Sequence, residues 1–193
     1  LSSAASDVYK RQSPHHTHNV LVKMINKEIE NHKSGLSSGI RLKLNAITNF
    51  SIIDKLYQAS SEGVKIQMIV RGICCLIPGI KGMSENIEVI SIVDKFLEHP
   101  RVYQFDNGGS PKIYISSADF MTRNIENRVE VAVPIYDVRL QRQIKDVFDI
   151  IWNDNIKARR LNGPNQNVFV KNNLKANRSQ FEIYEYYKRG ISL

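Results

Sequence analysis

Apolar residues recur along this chain with two different periods, and each switch between them marks a new element. Leu21, Met24, Ile25 and Ile29 fall at helical spacing, predicting an amphipathic helix over residues 20–33 that Gly35 can close. From 39 to 45 the period drops to two, with Ile40, Leu42 and Leu44 on one face and Arg41, Lys43 and Asn45 on the other. Helical spacing returns over 51–61 (Ile52, Ile53, Leu56, Tyr57, Ala59), ending at Gly63. Residues 64–70 are almost wholly apolar, as expected of a strand buried in a parallel sheet. Further strands are predicted over 87–93, 101–105, 112–116 and 128–135, the middle two joined by the turn Asp106-Asn107-Gly108-Gly109. A long amphipathic helix follows over 138–158, with Trp152 expected to anchor it on the sheet. Ser179 is a candidate N-cap for a last helix over 180–188. Helices alternating with strands make this an α/β chain, a mixed sheet flanked by helices.

Composition narrows the picture. The 193 residues, 42% hydrophobic, suffice for one domain with appendages. No apolar run approaches the ~20 residues of a membrane span, so a soluble or peripheral protein is expected. Cys74 and Cys75 are adjacent and make neither a disulfide framework nor a metal site. A net charge of +8 favours a polyanionic partner: nucleotide, nucleic acid, anionic lipid or polyphosphate. Beyond Asn162-Gly163-Pro164 the chain turns polar and basic, with Lys171, Lys175 and Arg178. Four segments are expected: 1–12, 13–18, a domain over 19–162, and a basic extension over 163–193 whose final helix packs on that domain.

The first segment, LSSAASDVYKRQ, resembles the remnant that sequencing adapters leave on gene predictions. It is set aside, and the gene is expected to continue upstream. His15, His16 and His18 are spaced as in a metal site, but no Cys or carboxylate stands close by, and a loose polar linker over 13–18 is favoured.

Candidate chemistry concentrates between 96 and 130. His99, Arg101 and Asp106 follow a His-x-Arg-x4-Asp spacing, and Ser116, Ser117, Asp119, Arg123, Asn124, Arg128 and Glu130 follow. An imidazole can exchange a proton with a phosphoryl oxygen, and a guanidinium fork matches phosphate. Asp106 is equally readable as a turn residue, and Glu130 as an ion-pair partner of Arg128. Arg71 and Gly72 end the buried strand, the position where α/β folds place ligand contacts. Lys43 and Asn45 end the strand before it. No Gly-rich phosphate loop occurs, which argues against a Walker-type or dinucleotide site.

The stretches VRGICCL (70–76), SIVDKFLEHPRVYQFDN (91–107) and YISSADFMTRNIENRVE (114–130) carry a close resemblance. From about Asn19 to Tyr187 the chain resembles the C-terminal domain of bacterial polyphosphate kinase, the type that makes long chains. The catalytic half of that family comprises two domains of phospholipase D-like fold. Here the His99 motif looks like the second, degenerate copy of that superfamily's His-x-Lys-x4-Asp signature. Arg101 replaces Lys, Asp119 stands where Asn is frequent, and Phe120 stands where the kinases often have Trp.

The resemblance implies reversible transfer of the terminal phosphate of ATP to polyphosphate, with ADP as the other product. It implies a phosphohistidine in a preceding domain, upstream of residue 1, so His15, His16 and His18 are not that residue. Arg71 and His99 fall on family positions that contact nucleotide phosphates, with Lys43, Asn45, Arg101, Arg123, Asn124, Arg128 and Glu130 in possible supporting roles. Mg2+ is implied in the complete enzyme, although no ligand set for it is found in this segment. A homo-oligomer in the cytoplasm is implied, with peripheral association with the inner membrane as a variant. The alternative is a phospholipase D-like phosphodiesterase or a non-catalytic module binding polyanions or nucleic acid. The hydrolase needs two His-x-Lys motifs where this chain has one, altered. A nucleic-acid module would show aromatic and basic residues interleaved for base stacking.

Overall fold

A computed structural model of the chain describes residues 14–163 and 167–191. Segment 1–12, Ser13, Pro164 and Asn165 lie outside the described residues, as do the side chains of His15 and His16. Helix α1 spans Pro14–Lys33 and starts earlier than the apolar spacing predicted. Proline suits the first turn of a helix, so Pro14 begins the helix where loose chain was expected, and His18 donates to or accepts from the Ser51 hydroxyl at 2.8 Å. Strand β1 (Ile40–Leu44), helix α2 (Phe50–Ser61) and strand β2 (Ile66–Val70) form a parallel β-α-β unit. The Asn49 side chain caps α2 by accepting from the Ile52 N–H at 3.1 Å. After a long loop, β3 (Ile87–Ser91) pairs parallel with β2.

Strand β4 (Arg101–Phe105) then returns antiparallel beside β1 and makes a hairpin with β5 (Lys112–Ser116). Helix α3 (Thr122–Glu126), β6 (Ala132–Ile135) and helix α4 (Val138–Trp152) follow. The short strands β7 (Arg159–Leu161) and β8 (Asn167–Phe169) extend the sheet, and helix α5 (Ser179–Ile191) closes the described chain. The sheet order is β6-β5-β4-β1-β2-β3-β7-β8.

Each sheet face has its own core. Leu21, Ile25 and Ile29 of α1, with Ile52 and Leu56 of α2, cover Leu42, Leu44, Met68, Val89, Tyr103 and Phe105. On the opposite face Phe148 and Ile151 of α4 pack on Ile69 and Ile90, with Trp152 and Ile183 at the margin. Trp152 stacks on Phe148 at 6.1 Å, as an anchor of that layer should. Among the described residues no helix is long and apolar enough to cross a membrane.

Three sequence expectations need correction here. The alternation over 128–135 predicted one strand, but β6 begins at Ala132. The Ser117 N–H still donates to the Val131 carbonyl at 2.9 Å, but the return bond goes to a side chain: the Ser117 hydroxyl accepts from the Val131 N–H at 3.0 Å and bonds to the Glu130 carboxylate. The helix predicted to run to 158 stops at Trp152, because Asp154 turns the chain. Its carboxylate, fully buried, accepts from the N–H groups of Ile156, Lys157 and Ala158. Ser179 is the first residue of α5 rather than its cap: its N–H donates to the other Asp154 oxygen at 2.7 Å.

Candidate functional site

The register sets the site before any side chain is considered. Because β4 runs antiparallel to β1, pairing Lys43 with Val102, the end of β1 and the start of β4 reach the same sheet edge. The end of β5 reaches it too, since Arg101 pairs with Ser116. The parallel β2 adds Arg71 to that edge. Four segments distant in sequence therefore bring Asn45, Arg71, His99, Arg101 and Asp119 together.

Asp119, 6% exposed, is the hub. Its Oδ1 accepts from the backbone N–H groups of Asn45 (2.7 Å) and Ala46 (3.2 Å). Its Oδ2 accepts from Arg101 Nη2 at 2.8 Å and, at 3.4 Å, from Asn45 Nδ2. Burial alone would raise this carboxyl, but the Arg101 guanidinium and the two N–H groups outweigh it and hold it below its ordinary range. Just upstream, the buried Tyr103 hydroxyl donates to the Ala118 carbonyl at 2.5 Å. Burial pushes that phenol well above its ordinary range, so it stays protonated and able to donate.

Arms extend from the hub in two directions. The remaining Arg101 terminal nitrogen, Nη1, donates to His99 Nδ1 at 2.9 Å and to the His99 carbonyl at 3.2 Å. A guanidinium has no acceptor, so Nδ1 must accept, and the neutral ring carries its hydrogen on Nε2. His99 itself is exposed. On the other side Asn45 Oδ1 accepts from Arg71 Nε at 3.1 Å. This leaves the two terminal nitrogens of the half-exposed Arg71 without a partner among the described residues. The arrangement presents one proton-carrying imidazole nitrogen and one guanidinium end, both held from behind. Such a pair can bind an anionic oxygen and exchange a proton with it.

The other sequence-predicted residues divide. Glu130 and Asn124 are buried in an adjacent knot, where Asn124 Nδ2 donates to Glu130 Oε1 at 2.6 Å and Ser117 bonds to the other oxygen. Glu130 is thus held by neutral donors, not by Arg128. Arg123 and Arg128 are exposed on and just after α3, outside the bonded network. Arg101, expected as a phosphate fork, is engaged by Asp119 and His99. Lys43 does not join the edge either. It is 6% exposed, on the α4 side of the sheet, and pairs with Glu98 at 3.0 Å. Asp106 lies past the far end of β4, roughly 15 Å from the cluster at the usual strand rise. There its carbonyl closes the turn onto Gly109. Sequence reasoning named Asp119 among the candidate side chains and as a departure from a family pattern, but missed it as the hub. A single acid at a strand end among cations was the available signal.

Magnesium does not fit these residues. The Asp119 oxygens are already taken by four donors, and among the described residues no group of three His, Cys, Asp or Glu could hold a metal.

With this geometry in place, the relatives become informative. Residues 12–180 match the family model described as polyphosphate kinase C-terminal domain 2. The polyphosphate kinase of Klebsiella pneumoniae is 49% identical over 181 residues, which are 93% of this chain and 26% of that protein. The chain therefore spans about a quarter of the length of the curated relatives it matches. The crystal structure of polyphosphate kinase from Porphyromonas gingivalis superposes with a TM-score of 0.87 at 43% identity, covering 89% of this chain and 26% of that one. Nuc from Salmonella typhimurium, a phospholipase D family member, superposes with a TM-score of 0.54 at 16% identity, covering 75% of this chain and 90% of Nuc. That likeness is one of fold, and the mixed sheet flanked by helices is phospholipase D-like. The chain belongs to the polyphosphate kinase C-terminal domain 2 family.

Proposed function

We propose that this chain is the second catalytic domain of a polyphosphate kinase, contributing His99 and Arg71 to reversible phosphate transfer between ATP and polyphosphate. The observation that carries this reading is the bonded series His99–Arg101–Asp119–Asn45–Arg71, which fixes an imidazole and a guanidinium at one sheet edge. In this reading residues 19–162 form the domain, and 163–193 are its basic extension. The nucleophile is a histidine of the preceding domain, which takes the terminal phosphoryl group and passes it to the polyphosphate end. Arg71 balances charge on the transferring group, and fixed cations there are among the larger catalytic contributions. His99 stands opposite the nucleophile and gives or takes a proton through Nε2. Exposed Arg123 and Arg128 supply a cationic approach for the polyanion. ATP, ADP and polyphosphate are then its ligands and the preceding domain its immediate partner. A cytoplasmic homo-oligomer, using magnesium held outside this segment, completes the proposal.

The test is ATP-dependent polyphosphate synthesis by the gene recovered to full length, beside this chain alone. Activity in the long form only is expected. H99A and R71A in that form should each lower transfer by ~10^2 or more. Near-normal rates in both variants would remove the two residues from the chemistry. Synthesis by this chain alone would move the nucleophile into it. Inactivity of both forms, with phosphodiester cleavage by either, would favour the hydrolase.

A further inference from the structure

Ile92, at the start of the loop that carries His99 (residues 92–100), is buried in the α4-side core, but the rest of the loop lacks a packed base. Val93, Phe96 and Leu97 are exposed, and behind the loop lies a cavity of about 400 Å3. Phe96, Pro100, Val102, Phe148, Ile183 and Tyr187 contribute to its walls. An apolar segment over a void gains little from packing, so its position has to come from polar contacts.

Those contacts come from the start of α5. The Gln180 amide clasps the Phe96 peptide at both ends: Oε1 accepts from the Phe96 N–H at 2.9 Å, and Nε2 donates to the Phe96 carbonyl at 2.8 Å. Nε2 also donates to Glu98 Oε1 at 3.0 Å, while the other Glu98 oxygen takes the buried Lys43 ammonium. Two residues before Gln180, the Arg178 fork meets Asp94 at 2.9 and 2.7 Å. The turn that makes these bonds is itself fastened, since Asp154 holds the Ser179 N–H and Asn177 bonds to Asn155 and to the Ile150 carbonyl.

We infer that Gln180, supported by the Arg178–Asp94 pair, is a positioning residue that holds His99 where Arg101 can orient it. The inference rests on the proposed role of His99 in transfer, but the clasp can be tested apart from that role. Gln180 touches the histidine only through the loop backbone and Glu98. Its loss should therefore disturb the His99 ring while leaving Arg71 and the Asp119 hub in place.

The experiment uses Q180M, which keeps the side-chain volume, and D94N as a second variant. Long-range 1H–15N spectra of histidine-labelled chain read the His99 tautomer, assigned by the signal missing in H99A. Wild type should show a single Nε2–H form. Q180M should show exchange broadening or mixed tautomers with a melting temperature within a few degrees of wild type, and D94N a smaller change of the same kind. In the full-length protein Q180M should lower kcat about tenfold or more, as small misplacements do, with KM for ATP within about twofold. An unchanged His99 spectrum in Q180M overturns the clasp. A changed spectrum with unchanged kcat overturns its part in catalysis. If wild type makes no polyphosphate, the kinase reading fails while the spectra still decide the clasp.

Discussion

The two ends of β4 hold buried carboxylates that look alike in their bonds and differ in their company. At the start of the strand Asp119 collects two backbone N–H groups and one guanidinium nitrogen of Arg101. Past its end Glu28 of α1, also buried, collects the N–H groups of Gly39 (2.9 Å) and Asn107 (2.7 Å), with Asp106 raising its carboxyl and the unbonded Lys112 lowering it only slightly. Burial pushes both carboxyls up. At Asp119 the bonded cation wins and the net shift is downward; at Glu28 burial wins and the net shift is upward. Accepting two peptide N–H groups is thus enough to seat a carboxylate, but not to make its charge welcome. The end with the bonded cation is the end where charge chemistry is proposed; the other end fastens a helix to a turn.

Substitutions can break this contrast in graded steps. D119A leaves a largely buried guanidinium without its carboxylate and should cost about 3 kcal/mol or more in urea unfolding. A cost under about 1 kcal/mol would mean that Arg101 finds another partner and that Asp119 is no hub. D119N keeps the shape and loses the charge, so it should cost about 1.5–3 kcal/mol at neutral pH. The folded carboxyl lies below its ordinary value, so its stabilisation is present above that value and disappears as pH falls through the folded one. The D119N deficit should therefore shrink on acidification. E28Q should cost about 1 kcal/mol near pH 4, because its amide hydrogens face a peptide N–H. Glu28 is raised above 4.5, so wild type alone loses stability as pH rises from there through the raised value. The E28Q deficit should shrink in the alkaline direction, opposite to D119N. Parallel pH profiles for the two variants would erase the distinction between the two ends. D106N, on an exposed side chain whose closest hydroxyl is Ser37 at 3.4 Å, should stay within about 0.5 kcal/mol.

The strands β1 to β5 and helices α1, α2, α4 and α5 were all visible in the sequence, because each alternates, repeats or, as in β2, runs apolar over enough residues to declare itself. Strands β7 and β8 were not, since three residues such as Arg159, Arg160 and Leu161 carry no period. Helix α3 was hidden by its length of one turn, and the early part of the 128–135 pattern misled because Ser117 supplies the bonds a strand would have made. For the site, Arg71, Asn45 and His99 were legible from strand ends and spacing. Lys43 was misplaced, and Asp106 took the turn role that its sequence equally allowed, for a common reason: a motif read along a line does not say which side or which end of a strand each residue reaches. Gln180 and Asp154 gave no signal, because their roles depend on loops that only the folded chain brings near.

The clasp between Phe96 and Gln180 spans 84 residues of chain. On a ribosome adding about 5–20 residues per second, the histidine loop emerges roughly 4–17 s before the glutamine that secures it. During synthesis, then, the newborn domain holds its His99 edge in a loosened form, and that edge sets only when helix α5 has emerged.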